Sequence, residues 1–321
     1  MRRSTSWLLP AFLLLALVTW AEIKPLPYWA YVLKPDTPAS ADQADNSPRH
    51  VPNSKAAFTT AQTRDLFTPP DWHPEGHPKM PEIVAHGRKP DVYACGYCHL
   101  PNGQGRPENS SLTGLSAGYI VAQMAEFKSG ARKSSEPRHK PVTGMIEFET
   151  KATAKEIQAA AQYFSQLKPK PWIRVVETET VPKTNVLGWM LVQSTPAGTE
   201  PLGQRIIETP ENTELSELRD DRTGFVAYVP QGSIRRGKML AMTGAGGKTV
   251  PCMACHGPDL RGTGKVPSIV GRSPSYLVRQ FCDIQSGARS GVAARQMTPT
   301  VAKLDLDDMI SLAAYLASLH P

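Results

Sequence analysis

Four of the five cysteines in the chain stand in two copies of one short pattern. Cys95-Gly-Tyr-Cys98-His99 recurs as Cys252-Met-Ala-Cys255-His256, at an offset of 157 residues. The spacing has a specific chemical use. Two thiols separated by two residues can add across the two vinyl groups of a porphyrin. The next residue then lies against the ring face, where its imidazole can coordinate iron; shifted by one position, it would face elsewhere. This is the attachment signature of haem c. Cys95, Cys98, Cys252 and Cys255 are therefore expected to hold two haems covalently, with His99 and His256 as iron ligands. Zinc is the rival for paired cysteines, but a four-ligand zinc site usually draws on pairs closer together. A thioredoxin-like motif would need a βαβ context, which the sequence lacks.

The offset of 157 extends beyond the cysteines. It carries Ser116 to Ser273, Tyr119 to Tyr276, Gln123 to Gln280, Gly130 to Gly287 and Arg132 to Arg289. A deletion of five residues then maps Met145 to Met297, Tyr163 to Tyr315 and Leu167 to Leu319. One gap aligns the whole unit, so the chain reads as a duplicated domain. Met145 and Met297 occupy equivalent places before the last helix, and a thioether is a soft ligand that raises a haem potential. They are the expected sixth iron ligands. His139 is the competitor in the first copy and has no counterpart in the second. Met124, Met239 and Met309 read as core filling. Arg132 and Arg289 suit either a haem propionate or the charge at a helix C-terminus. Cys282, opposite Ala125, reads as a small buried residue. His73 and His77 flank a Pro-rich turn where a metal site is the weaker reading, and His320 reads as solvated.

The elements that must position these groups are mostly helical. Ala117 to Ser129 is amphipathic, with Gly130 as its stop. Thr153 to Leu167 turns Ile157, Ala160, Ala161, Phe164 and Leu167 inward, and Asp305 to Leu319 repeats the pattern. Ser233 is expected to cap a helix through Met242. Between the copies, Ile173–Val181, Gly188–Val192, Gln204–Ile207 and Gly224–Val229 read as short strands. The expected organisation is an export segment over 1–21, a Pro-rich extended arm over 22–78, a first haem domain over 79–170, a β-like insert over 171–231 and a second haem domain over 232–321.

The 321 residues suffice for two ordinary domains with tails. The apolar run Trp7–Ala21 follows Arg2 and Arg3 and is short of the ~20 residues that span a bilayer. It reads as a signal peptide with cleavage after Ala21, or as a retained anchor that would associate the N-terminus with a membrane. Either places the chain in the periplasm. The net charge of +7 includes two arginines of that segment. The mild remaining excess suits an acidic partner, an anionic surface or plain solvation, and nothing suggests nucleic acid.

The chain resembles the tandem diheme class I cytochromes c over roughly residues 80–170 and 232–321. The resemblance rests on Cys95, Cys98, His99, Met145 and Tyr163, on Cys252, Cys255, His256, Met297 and Tyr315, and on the final Ala313–Leu319 stretch. It implies a mostly α fold: two small helical domains in tandem, each wrapped around a haem with first and last helices crossing. It also implies one-electron shuttling between respiratory partners, such as a dehydrogenase and a terminal oxidase. The Pro-rich arm and the insert depart from that pattern. The rival functions are a haem subunit of a dehydrogenase or oxidase complex, and a diheme peroxidase. The peroxidase needs unlike ligation in its two halves, whereas both copies here offer a methionine.

Overall fold

Among the described residues, 26–33 and 46–321 of a computed structural model, helices predominate on either side of a middle stretch of short strands. The expected export segment lies outside the described residues. Among the described residues, no helix is long and apolar enough to cross a membrane.

The first half contains α1 (Thr60–Thr63), α2 (Glu82–Ala85), α3 (Cys95–His99), α4 (Ala117–Ser129), α5 (Lys140–Glu147) and α6 (Ala154–Gln166). Ser116 starts α4 by accepting from the Tyr119 N–H at 3.2 Å, and Gly130 ends it in the left-handed region at φ 72°. Thr153 and Glu156 form a reciprocal capping box at the start of α6. These caps place Ile120 of α4 against Ala160, Ala161 and Phe164 of α6, with Ile83 and Val84 of α2 completing the core.

The insert begins with β1 (Ile173–Glu177), β2 (Thr180–Pro182), β3 (Thr184–Leu187), β4 (Met190–Gln193), β5 (Thr199–Pro201) and β6 (Ile207–Pro210). A short helix, α7 (Thr213–Glu217), and β7 (Phe225–Val229) follow. β7 is the centre of a three-stranded sheet, parallel to β1 and antiparallel to β6. The expected strands are present but shifted. Residues 173–181 divide into two strands that join different sheets, because β2 pairs with β5 rather than β7. Gly188 and Trp189 form a hairpin turn between β3 and β4 instead of starting a strand. The α7 helix, capped by the Asn212 side chain, was not foreseen.

The second half contains α8 (Ser233–Thr243), α9 (Met253–His256), α10 (Pro274–Gln285), α11 (Val292–Gln296), α12 (Thr298–Val301) and α13 (Leu306–Ser318). Ser233 is not the cap of α8. Gly232, left-handed at φ 79°, holds that position, and Ser233 is the buried first residue. Met239 on this helix is 53% exposed, so it does not fill the core, whereas Met309 does. The first and last helices of this half pack closely, with Gly237 of α8 against the Ser311 carbonyl of α13; a Cβ there would collide with it. Cys282 is buried as expected, with its sulfur 3.8 Å from that of Met309.

The expected extended arm is partly anchored. Ala30 and Tyr31 are fully buried in the core of the second half, and the Tyr31 hydroxyl donates to Asp283 Oδ1 at 2.9 Å. Further on, Trp72 is buried against Leu218 of the insert and donates its indole N–H to that residue's carbonyl at 2.7 Å.

The two halves meet along a polar seam. Arg132 and Arg289 face each other in an antiparallel bridge. The Lys133 N–H donates to the Ala288 carbonyl at 2.8 Å, and the Ser290 N–H to the Ala131 carbonyl at 2.7 Å. Two buried arginines of the second half fork onto first-half carbonyls. Arg272 donates to Ser111 and Thr113, both at 2.8 Å. Arg279 donates to Pro107 and to Ala30 of the arm, both at 2.6 Å. Hydrogen bonds to a charged group contribute ~1.5–3 kcal/mol each, and an abandoned buried guanidinium costs more than that, so the seam is specific.

Candidate functional site

The two Cys-x-x-Cys-His segments form the same local structure. Each makes about one helical turn, α3 or α9, and delivers its histidine at the end. His99 donates from Nδ1 to the Ser110 carbonyl at 2.9 Å, and His256 donates from Nδ1 to the Pro267 carbonyl at 2.8 Å. Ser110 and Pro267 are themselves related by the repeat offset. Each imidazole therefore has its tautomer and ring direction set by a carbonyl, leaving Nε2 as the nitrogen with a free lone pair. This is the usual support for a metal-ligating histidine. Burial lowers both histidine pKa values, against the carbonyl hydrogen bonds, and keeps the rings neutral. Burial also pushes the Cys98 and Cys252 thiols up to about 11, and raises the Cys95 thiol well above its ordinary value. Cys252 is buried, Cys95 and Cys98 are half-buried, and Cys255 is exposed.

A cavity of about 1030 Å³ opens over the first motif, at the upper end of the ~300–1,000 Å³ typical of ligand sites. Cys95, Cys98 and His99 line it together with Met145 of α5, and Ile120 and Phe164 supply apolar wall. The His99 ring lies edge-on to Phe164, with centroids 6.0 Å apart. Met124, expected in the core, lines the cavity as well. Two thiols, an imidazole with a free Nε2, a thioether and a large apolar chamber are a donor set and a space that fit haem c. His139 is not among the lining residues. It is buried beside Tyr31, with neither ring nitrogen hydrogen-bonded, and burial assisted by Arg279 pushes its pKa down to about 3.

In the second half, His256 is buried and Met297 lies half-buried against the core, at the junction of α11 and α12. Tyr163 and Tyr315 are both buried, and the Tyr163 hydroxyl donates to the Pro101 carbonyl at 2.6 Å, tying α6 to the loop behind His99.

Arg132 and Arg289 spend their hydrogen bonds on protein groups. Arg132 donates to Gln123 of its own half at 2.8 Å, and to Tyr276 and Gln280 of the other half, both at 3.3 Å. Arg289 donates to Gln280 at 2.9 Å, to Tyr119 at 2.9 Å and to Gln123 at 2.8 Å. Arg132, Tyr119, Gln123, Tyr276 and Gln280 all line the cavity, so the seam between halves is one of its walls. The Leu187–Met190 hairpin tip and Arg219 of the insert form another. Arg219 stacks on the Tyr97 ring, 3.5 Å from its centroid, and donates to the Tyr97 carbonyl at 2.8 Å.

Sequence reasoning noticed Tyr119, Gln123, Tyr276 and Gln280 only as alignment markers. Their signal was that Tyr119/Tyr276 and Gln123/Gln280 keep their identity between the copies while Ala122, Met124 and Ala125 beside them become Arg279, Phe281 and Cys282. The contribution of the insert had no signal at all.

The cytochrome c family model matches residues 86–168. The thiosulfate dehydrogenase electron acceptor of Thiomonas intermedia (strain K12) is 26% identical over 207 residues, covering 63% of this chain and 67% of the relative. Cytochrome c4 of Azotobacter vinelandii is 34% identical over 82 residues, covering 23% of this chain and 39% of the relative. The solved thiosulfate dehydrogenase of Marichromatium purpuratum superposes with a TM-score of 0.47 at 24% identity, covering 72% of this chain but only 37% of that one. Residues 86–168 are thus a cytochrome c domain, a type that binds haem c covalently, in a chain homologous to electron-transferring c-type cytochromes.

Proposed function

We propose that this chain is an exported diheme cytochrome that carries single electrons between redox proteins. One haem c would be attached at Cys95 and Cys98 with His99 and Met145 on its iron, the other at Cys252 and Cys255 with His256 and Met297. The haem domains would span 79–170 and 232–321. The observation that carries this reading is the recurrence of the His99–Ser110 arrangement at His256–Pro267. The histidine's supporting carbonyl is duplicated along with the cysteines, as expected if both histidines bind iron.

When bound, haem c supplies a one-electron couple whose potential follows its axial ligands, its burial and the hydrogen bonds around it. The chain's own residues then do three things. The Ser110 and Pro267 carbonyls hold each imidazole in one orientation. The apolar wall from Ile120 and Phe164 excludes water from the first site. The seam sets Tyr276 and Gln280 of α10 against the first cavity, while Val278 and Phe281 of the same helix lie in the second-half core. One helix thereby joins the first cavity to the core of the second half. With a methionine offered at matching places in both copies, neither iron keeps a position open for peroxide.

The test is a pyridine haemochrome assay on the purified holoprotein, with a carbon monoxide difference spectrum. Two haems per chain and no carbon monoxide complex are expected. Fewer than two haems, or ready complex formation, rejects the proposal.

A second reading, an electron-transfer subunit of a dehydrogenase complex, draws support from the similarity to the thiosulfate dehydrogenase electron acceptor. The insert would then serve as docking surface beside the first haem. Co-purification with a larger redox enzyme distinguishes this subunit from a freely diffusing carrier.

A further inference from the structure

His73, Asp220 and Asp221 each bring a ligand atom to within 4.8 Å of the others. They come from remote stretches: the Pro-rich turn before the first cysteine motif, and the turn after α7. All three are buried, at 1%, 5% and 4% exposure. His73 Nε2 lies 3.1 Å from Asp220 Oδ1. Asp221 Oδ1 is buried without a hydrogen-bond partner, and so is His73 Nδ1.

The surroundings leave excess negative charge. The Asp221 carboxyl is pushed up to about 6 by burial, with Asp220 and Asp71 adding to the rise while His73 and His77 oppose it. His77 is already engaged, its Nδ1 donating to the Pro78 carbonyl at 2.9 Å and its Nε2 lying 3.1 Å from Asp71 Oδ1. The Arg222 side chain bonds Glu75 Oε1 at 2.6 Å, an oxygen that itself lies 3.7 Å from His73 Nδ1, and only its backbone N–H serves Asp220. A buried carboxylate oxygen without a donor is costly. A bound cation would supply the missing partner for Asp221 and relieve its repulsion with Asp220.

We propose that His73, Asp220 and Asp221 bind one divalent transition cation of the zinc class, which fastens the Pro-rich segment to the insert. An imidazole with two carboxylates suits a borderline first-row ion. Calcium and magnesium favour all-oxygen sets. The clasp would act next to the first cytochrome motif. The Asp221 carbonyl accepts from the Asn102 side chain, and the Thr223 carbonyl from Gln104 at 3.0 Å. Arg219, one residue before Asp220, clamps Tyr97.

The experiment uses the full-length holoprotein, stripped with a chelator, then dialysed against Zn²⁺. Bound metal is counted by elemental mass spectrometry and melting is followed by circular dichroism. The proposal expects one zinc per chain and a raised melting temperature. It also expects D221N and H73Q each to weaken binding ~10-fold or more and to lose the melting shift, with the haem absorption spectrum unchanged to show an intact fold. The near-isosteric D221N guards against simple misfolding in H73Q. Three results overturn the proposal: no stoichiometric zinc in the wild type, undiminished binding in both variants, or uptake of Ca²⁺ in preference to Zn²⁺. The first would identify the cluster as a buried imidazole–carboxylate pair.

Discussion

Arg132 and Arg289 face each other across the seam, and each guanidinium holds the tyrosine and glutamine of the opposite half. The arrangement is an internal two-fold: residues made equivalent by duplication have become partners. Replacing Arg289 with methionine removes three hydrogen bonds and leaves the Tyr119 hydroxyl and the Gln123 and Gln280 side chains short of a partner. A loss of about 2–4 kcal/mol is expected, at ~1.5–3 kcal/mol per charged hydrogen bond less what water recovers. Chemical denaturation of the holoprotein measures it. A change below about 0.5 kcal/mol would mean that the seam is held elsewhere.

Replacing Met145 with alanine should leave the first iron with an open sixth position. Carbon monoxide binding to the reduced protein at half the haems is expected. So is a fall in one midpoint potential, by a substantial share of the ~0.8 V range that axial ligands command. His139→Ala should leave both potentials near their starting values, because His139 lies beside Tyr31 and not on the cavity wall. The reverse pattern in spectroelectrochemical titration would transfer the ligand role to His139.

Gly237→Ala should destabilise the second half. The added methyl would meet the Ser311 carbonyl, a backbone atom that cannot swing aside. Overpacking costs typically ~1–3 kcal/mol, and this crossing belongs at the upper end. Gly118 of α4 faces open space, so Gly118→Ala is the control and should be neutral or mildly stabilising. Thermal melts of the two variants should separate clearly.

Glu149 gives the first site a pH dependence. It lines the cavity, and burial pushes its carboxyl up to about 8, with Glu156 adding to the rise and a Tyr93 backbone hydrogen bond opposing it. An unfolded glutamate loses its proton near ~4.3, while the folded protein retains it to about 8. The contribution of this group to stability therefore falls as pH rises through that window, then levels off. Deprotonation also places a negative charge beside the haem, which favours the oxidised form. One midpoint potential should fall as pH passes through about 8, by at most ~59 mV per pH unit for a one-electron couple. Redox titration from pH 6 to pH 10 reads this, and Glu149→Gln should flatten it.

Much of this architecture was legible from spacing alone. The helices at Ala117–Ser129 and Thr153–Leu167 end within one residue of where Ser116, Gly130 and Thr153 place them. Such signals are local: a cap and its first free N–H lie within three residues. The β-rich insert was legible as strands but not as a sheet, since β1 pairs with β7 across some fifty residues and no turn chemistry encodes that partnership. The cavity wall shows the same limit. Cys95, Cys98 and His99 form one turn and announce themselves. Trp189 and Arg219 reach the cavity only through tertiary packing that periodicity does not record. Met239 was misjudged for a related reason, because an apolar residue on an amphipathic helix can still fall outside the buried stripe.

The buried Tyr31 carries a consequence for the order of assembly. Its docking partners, Arg279 and Asp283, are synthesised some 250 residues later, and Arg279 also reaches back to Pro107 of the first half. The strap near the start of the chain can therefore seat only after α10 exists and has packed. Tyr276, Gln280 and Asp283 of α10 also line the first chamber, so that wall forms only once the second half has been made. A segment made early thus docks only on chain that is made late.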